Sequence, residues 1–238
     1  MTGKRSAEVD EAVGQGKAAA LLSIEGAELL DCDIRRLDTA YDWGVRLLNP
    51  VWNYANRLSG SNAQQPEQGL TAYGRDFLRR MEELSIYVDV SHLSDAGFYD
   101  VASHAKRPFV ASHSGARAVC RHCRNLTDEM IRGIGEKGGV MGVNYFTEFL
   151  RDKEKFGDPM KTSLDDMVAH IRRIIRVGGI DSVGLGSDFD GAAVSMEITN
   201  AGDMQLLAAR LEKEGFSTEE IEKIFYKNVF RVYREILK

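Results

Sequence analysis

The chain has 238 residues, 43% of them hydrophobic and 28% charged, enough to bury a sizeable core. A net charge of -5 withholds the basic footprint that a nucleic acid or an anionic membrane surface requires. No apolar run approaches the roughly 20 residues of a membrane span, the opening MTGKRSAEVDEAVGQGK lacks the apolar core of a secretion signal, and Cys32, Cys120 and Cys123 give no disulfide framework, so a cytoplasmic, reducing setting is expected.

In chain order, AALLSI (19–24) reads as a buried strand, followed by a polar, turn-rich stretch at 59–69 and a helical pattern over 70–83. SIYVDVSH (85–92) reads as a strand, 94–105 as a helix and RPFVASH (107–113) as a strand. A helix over 126–137 precedes the strand GGVMGVNY (138–145), and a helix over 163–177 precedes IDSVGLGSDFDG (180–191). Helices over 203–214 and 218–237 finish the chain, the last with Ser217 or Thr218 as N-cap and glutamates in its first turn. Short apolar strands separated by helices imply parallel βα units covered on both faces. With no repeat and no low-complexity segment, one domain over 1–238 is expected, and the 59–69 stretch reads as an insertion over one end of it.

Repeated βα units leave two architectures, a doubly wound open sheet or a (β/α)8 barrel. No GxGxxG or P-loop follows the first strand, which removes the main support for a nucleotide-binding sheet. Polar residues fall instead immediately after the apolar runs: Glu25, His92, His113 and Asp188. In a barrel the C-terminal strand ends converge on one face, so residues this far apart in sequence can meet there.

A lone histidine after a strand is commonly a core or capping residue, but His92 and His113 end successive strands and each follows a serine. Neutral imidazole is a preferred zinc ligand, and Glu25 offers a hard oxygen that could bridge two divalent ions. Its alternative is a cap on the following helix. Asp188, in GSDFDG, sits where glycine lets the backbone approach a ligand, and its carboxylate could handle a proton; Asp190 reads as a turn cap. Arg124 could clamp a carboxylate bidentately or be a solvated surface residue. CRHC at 120–123 is a lone CxxC and reads as incidental, and His104 and His170, inside helical patterns, read as surface residues. His122 has no evident ligand partner.

The segments LLSIEGAE, YDWGVRLLNPVWNYAN, GLTAYGRDFLRRMEELSIYVDVSH, PFVASHSGAR, RNLTDEMI, GGVMGVN, VGLGSDFDG and KNVFRVYREIL occur in an order that resembles the membrane dipeptidase (renal dipeptidase) family of metallopeptidases, its soluble bacterial branch in particular. The resemblance implies a (β/α)8 barrel with two zinc ions at the C-terminal face, cleaving dipeptides that carry a free C-terminal carboxylate. It assigns Glu25 to the carboxylate bridging both metals, His92 and His113 to the histidines of one of them, Arg124 to the substrate carboxylate and Asp188 to acid/base work. Asn144 would face the same pocket. Trp52 stands where the family carries a substrate-contacting histidine; indole cannot serve as acid or metal ligand, but its N–H can donate and its face can pack substrate.

The family's first strand ends in a His-x-Asp pair that supplies the remaining metal ligands, and no His-x-Asp occurs in these 238 residues. The first strand here matches the family's third, so a barrel lacking one or two N-terminal βα units is expected. That would follow from a fragment of a longer protein, from completion by another chain, or from an open remnant without catalysis. Three ligands suit one zinc ion in an open site. The expected function is a zinc-dependent dipeptidase; the alternatives are a dipeptidase-like binding protein or subunit without turnover, and a related amidohydrolase acting on lactams or lactones. A dipeptide is the expected partner, nucleic acid and membrane are not, and self-association is left open.

Overall fold

The computed structural model describes residues 5–158 and 161–237. The chain divides into two compact units, one made of the residues up to Val110 together with those from Arg231 on, the other of Ala111–Phe230.

The first unit holds a parallel sheet of β1 (Leu22–Glu25), β2 (Val45–Asn49) and β3 (Tyr87–Val88), in that order. Glu25 at the end of β1 lies opposite Asn49 at the end of β2. A single parallel bridge joins Asp89 to Val110, and the Val90 N–H donates to the Val110 carbonyl at 2.8 Å. The helices α1 (Ser6–Gly14), α2 (Arg36–Trp43), α3 (Ala72–Glu83) and α4 (Asp95–His104) belong to this unit, as does the C-terminal helical stretch from Arg231 on. Thr71 and Ser94 cap α3 and α4 by accepting from the N–H groups of Gly74 and Gly97, as short oxygen side chains do at helix starts. Phe77, Leu78 and Met81 of α3 recur at helical spacing and are buried, as are Phe98 and Val101 of α4.

The second unit carries the sheet β4 (Val110–Ser114), β5 (Val140–Asn144) and β6 (Val183–Gly186). Met141–Asn144 pair in parallel with Val183–Gly186. Glycine is required where the strands meet Ser112: a Cβ on Gly142 or Gly186 would fall 2.1 or 1.9 Å from the Ser112 carbonyl oxygen. The helices are α5 (Asp128–Glu136), α6 (Thr147–Leu150), α7 (Lys153–Phe156), α8 (Leu164–Gly178), α9 (Met204–Lys213) and α10 (Thr218–Glu222). A π-helical segment, Lys223–Lys227, leads into α11 (Asn228–Ile236).

Five expected strands are present, but each is shorter than its apolar run, and 85–92 keeps only two residues of regular ladder. β2 is additional. Its sequence VRLLN carries Arg46, which breaks an apolar reading, yet Arg46 is buried: its guanidinium stacks 3.8 Å above the Tyr41 ring and donates to the carbonyls of Tyr41 and Val45. The single helix expected over 218–237 is interrupted by the π-helical segment, beside which the Asn228 amide donates to the carbonyls of Ile180 (2.7 Å) and Val183 (2.8 Å). His170 corrects its surface assignment. It is fully buried on α8, with Nδ1 accepting from the Ala116 N–H (2.8 Å) and Nε2 donating to the Leu150 carbonyl (3.1 Å).

Candidate functional site

In the first unit, β1 delivers Glu25 and the chain turns sharply at Gly26, whose φ of 87° only glycine adopts without strain. A Cβ there would also meet Glu28 Oε2 at 2.5 Å and Trp52 Cβ at 3.2 Å, so the backbone passes between these two side chains. His92 follows β3 through a tight bend held by Asp89, whose Oδ1 accepts from the Ser91 N–H (3.0 Å) and Ser91 Oγ–H (2.6 Å). The His92 ring is buried and its Nε2 lies 2.8 Å from Glu25 Oε1. The two residues meet although 67 positions separate them in the sequence. Trp52 is 43% exposed and meets Tyr54 edge to face, with ring centroids 6.0 Å apart.

The 59–69 stretch is built into this region. The Asn62 N–H donates to the His92 carbonyl (3.1 Å) and its side-chain amide to the Ser91 carbonyl (3.3 Å). Asn62 was missed by the sequence reading because a polar residue in a turn-rich run carries no pattern that reveals a long-range backbone partner.

In the second unit, His113 lies one residue before the end of β4, half-buried, with its Nδ1 2.7 Å from Ser112 Oγ. Arg124 is buried, not solvated, and its guanidinium stands 5.4 Å from the centre of the Phe149 ring. The loop that carries it is fastened by its neighbour: the Asn125 amide donates to the carbonyls of Cys120 (2.9 Å) and Phe149 (2.8 Å). His122 faces this cation; burial first, and the Arg124 charge second, hold its pKa below the ordinary value. Asn144 ends β5 fully buried, and its amide donates to Asp188 Oδ2 at 3.1 Å. Asp188 adopts a left-handed φ of 57°, which the carbonyl-capped turn over Gly191 and Ala192 stabilises. Asp190, at φ 67°, occupies a turn. Cys120 is buried, its thiol pushed up to about 11 by desolvation, and Cys123 is exposed.

These positions gather two kinds of chemistry. Glu25 and His92 turn a carboxylate oxygen and an imidazole nitrogen toward each other, the hard-oxygen and nitrogen donors that a divalent cation takes. Asn144 and Asp188 form a carboxylate held by a neutral amide, which orients it without neutralising its charge. Both pairs lie at or just past the ends of parallel strands, where α/β enzymes commonly carry their reacting groups.

The sequence pattern of the membrane dipeptidase family (peptidase family M19) matches residues 2–238, and the chain belongs to that family. It is 39% identical over 225 residues to an uncharacterised protein of Klebsiella pneumoniae from the pqqA 5′ region, covering 92% of this chain and 82% of that one. An uncharacterised dipeptidase of Schizosaccharomyces pombe is 33% identical over 228 residues; the match takes in 92% of this chain but only 53% of the yeast protein. Among solved structures, a metallopeptidase of Rhodobacter sphaeroides liganded with a phosphinate mimic of the dipeptide L-Ala-D-Ala superposes with a TM-score of 0.92 at 30% identity, over 99% of this chain and 68% of that one. The α/β fold expected from the sequence is the fold of these metallopeptidases. No helix among the described residues is long and apolar enough to cross a membrane.

Proposed function

We propose that the chain is a zinc-dependent dipeptidase in which Glu25, His92 and His113 hold the metal. The observation that carries this reading is the 2.8 Å approach of Glu25 Oε1 to His92 Nε2 at two strand ends, in a chain of a metallopeptidase family. His113 joins them as a candidate because it closes the next strand and the resemblance to the membrane dipeptidase family assigns it to the same ion as His92. Its strand begins at Val110, which bridges in parallel to the segment leading into His92. Three such donors suit a single zinc ion with an open position, fewer than the two ions known for the family. Bound there, zinc would polarise the scissile carbonyl and bring the pKa of a water toward neutrality.

The protein's own groups supply the rest. Arg124 grips the C-terminal carboxylate of the dipeptide with a planar, always-charged fork, fixing orientation as well as affinity. Because the cation is buried, that contact is worth more than one at the surface. Asp188 takes the proton of the attacking water and returns it to the leaving amine. Asn144 holds the accepting carboxylate in place through its 3.1 Å hydrogen bond. Trp52 packs substrate with its exposed face. The dipeptide mimic bound to the Rhodobacter sphaeroides metallopeptidase supports the substrate class.

The test is hydrolysis of a dipeptide panel by the zinc-loaded protein and its Asp188→Ala variant. Loss of the general acid/base lowers kcat by about 10²–10⁴, with zinc content unchanged. Equal rates for the two proteins would show that Asp188 does not serve the reaction.

A further inference from the structure

Glu28 lies one turn beyond Glu25, in the 3-10 helix Ala27–Leu30, and it is exposed. Its carboxylate is fixed: Oε1 accepts from the Asn56 amide at 2.7 Å. Asn56 is itself locked, because the same amide donates to the Pro50 carbonyl (2.8 Å) while its Oδ1 accepts from the Leu58 N–H (2.8 Å). Among the described residues no lysine or arginine pairs with Glu28; the guanidinium of Arg57, the residue after Asn56, is committed to the Cys32 carbonyl and the Tyr73 hydroxyl.

Trp52 stands beside this anchored anion, with Tyr54 packed against it. Glu28 Oε2 and Trp52 Cβ both lie within 3.2 Å of the point where a Cβ on Gly26 would be, so they are neighbours over the glycine that follows Glu25. Trp52 is 43% exposed, and Tyr54, packed edge to face against it, is 62% exposed. The two aromatic side chains are open to solvent beside an oriented carboxylate. An occupant that suits both is an organic cation: the carboxylate meets its charge and the rings its weakly hydrated surface.

We infer that Glu28, Trp52 and Tyr54 form a recess for a cationic side chain, giving the enzyme a preference for dipeptides that contain lysine or arginine. This rests on the dipeptidase reading, since it places the recess next to the peptide bond held at Glu25. A lysine ammonium seated there gains an ion pair and a cation–π contact.

The experiment uses the Trp43→Phe protein, so that Trp52 is the sole tryptophan emitter, titrated with four peptides: Lys-Ala, norleucine-Ala, Ala-Lys and Ala-norleucine. Each pair differs only in the side-chain ammonium. In one pair the lysine peptide quenches Trp52 at about tenfold lower concentration than its norleucine partner, the sum of an exposed ion pair and a cation–π contact. Adding Glu28→Gln removes most of that ratio, and hydrolysis rates with zinc follow the same order. Equal titration of lysine and norleucine peptides in both pairs overturns the inference, as does a ratio untouched by Glu28→Gln. An equal loss for all four peptides in Glu28→Gln also overturns it, because the bound cation is then the α-ammonium. Failure of the dipeptidase reading looks different: no peptide is cleaved, while Trp52 still distinguishes lysine from norleucine.

Discussion

At the scale of single residues, His170 is the most informative group outside the site. Its two nitrogens are both used, one accepting and one donating, which requires the neutral imidazole. Desolvation, the largest cause, lowers its pKa from 6.5 to about 4. The unfolded chain therefore binds a proton below pH 6.5 that the native chain refuses, and native stability falls as the pH drops from 6.5 toward 4. The slope approaches about 1.4 kcal/mol per pH unit over that window. Urea unfolding at pH 7 and pH 5 checks this: the loss on acidification shrinks in His170→Ala. That variant is also less stable at pH 7 by about 2–4 kcal/mol, since the Ala116 N–H and Leu150 carbonyl lose their partner and a cavity opens.

The position was legible in principle. Met167, Ile171 and Ile174 mark the buried face of α8, and His170 falls three residues after the first and four before the last. Residue type outweighed spacing in the surface assignment, and spacing was the better guide. Glu25, His92, Arg124, Asn144 and Asp188 were read from chain position and resemblance, and the structure adds partners such as Asn62 and Asn125, whose amides reach backbone carbonyls far away in sequence. Such contacts have no periodicity, so a sequence shows the residue but not its partner.

At the scale of elements, the α5 and α8 helices show how a small residue sets an approach. Each has a buried apolar face, and Arg173 pairs with Asp128 across them. At Gly135 of α5 a Cβ would fall 2.5 Å from the Gly178 carbonyl oxygen, with the Gly178 Cα at 3.2 Å. Two effects compete in Gly135→Ala. Helix propensity favours alanine by about 1 kcal/mol. The clash is with backbone, which cannot swing aside, and overpacking of that kind costs about 1–3 kcal/mol. The second effect wins. Gly135→Ala is expected to lower Tm in a thermal melt by a few degrees, whereas an unhindered helical glycine would raise it.

The elements themselves were legible where apolar period and cap agreed, as in α3, α4 and α5, whose threonine and serine caps all accept from the expected N–H groups. β2 escaped because its central arginine is satisfied by two carbonyls and a tyrosine face, none of which a strand pattern encodes. The π-helical segment escaped because Lys223–Lys227 keeps an ordinary helical composition; its extra residue shows only in the backbone.

At the scale of the whole molecule, the proposed metal site makes ion binding and folding one equilibrium. Glu25, His92 and His113 are spread over a long stretch of sequence, so an unfolded chain does not present them together, and an ion bound only by the native state stabilises that state by mass action. At a free zinc concentration 100 times Kd the gain is about 2.7 kcal/mol, which for a chain of this size raises Tm by about 5–10 °C. Chelation should abolish the increment and readdition of zinc restore it, with one equivalent bound per chain by mass spectrometry. His92→Ala removes a buried nitrogen donor beside Glu25 and should erase the zinc-dependent part of the melt while leaving the chelated protein's Tm within a few degrees. Two tightly held equivalents per chain would show that further side chains of this molecule serve as ligands. A melt indifferent to zinc would show that Glu25 and His92 meet as a hydrogen-bonded pair alone.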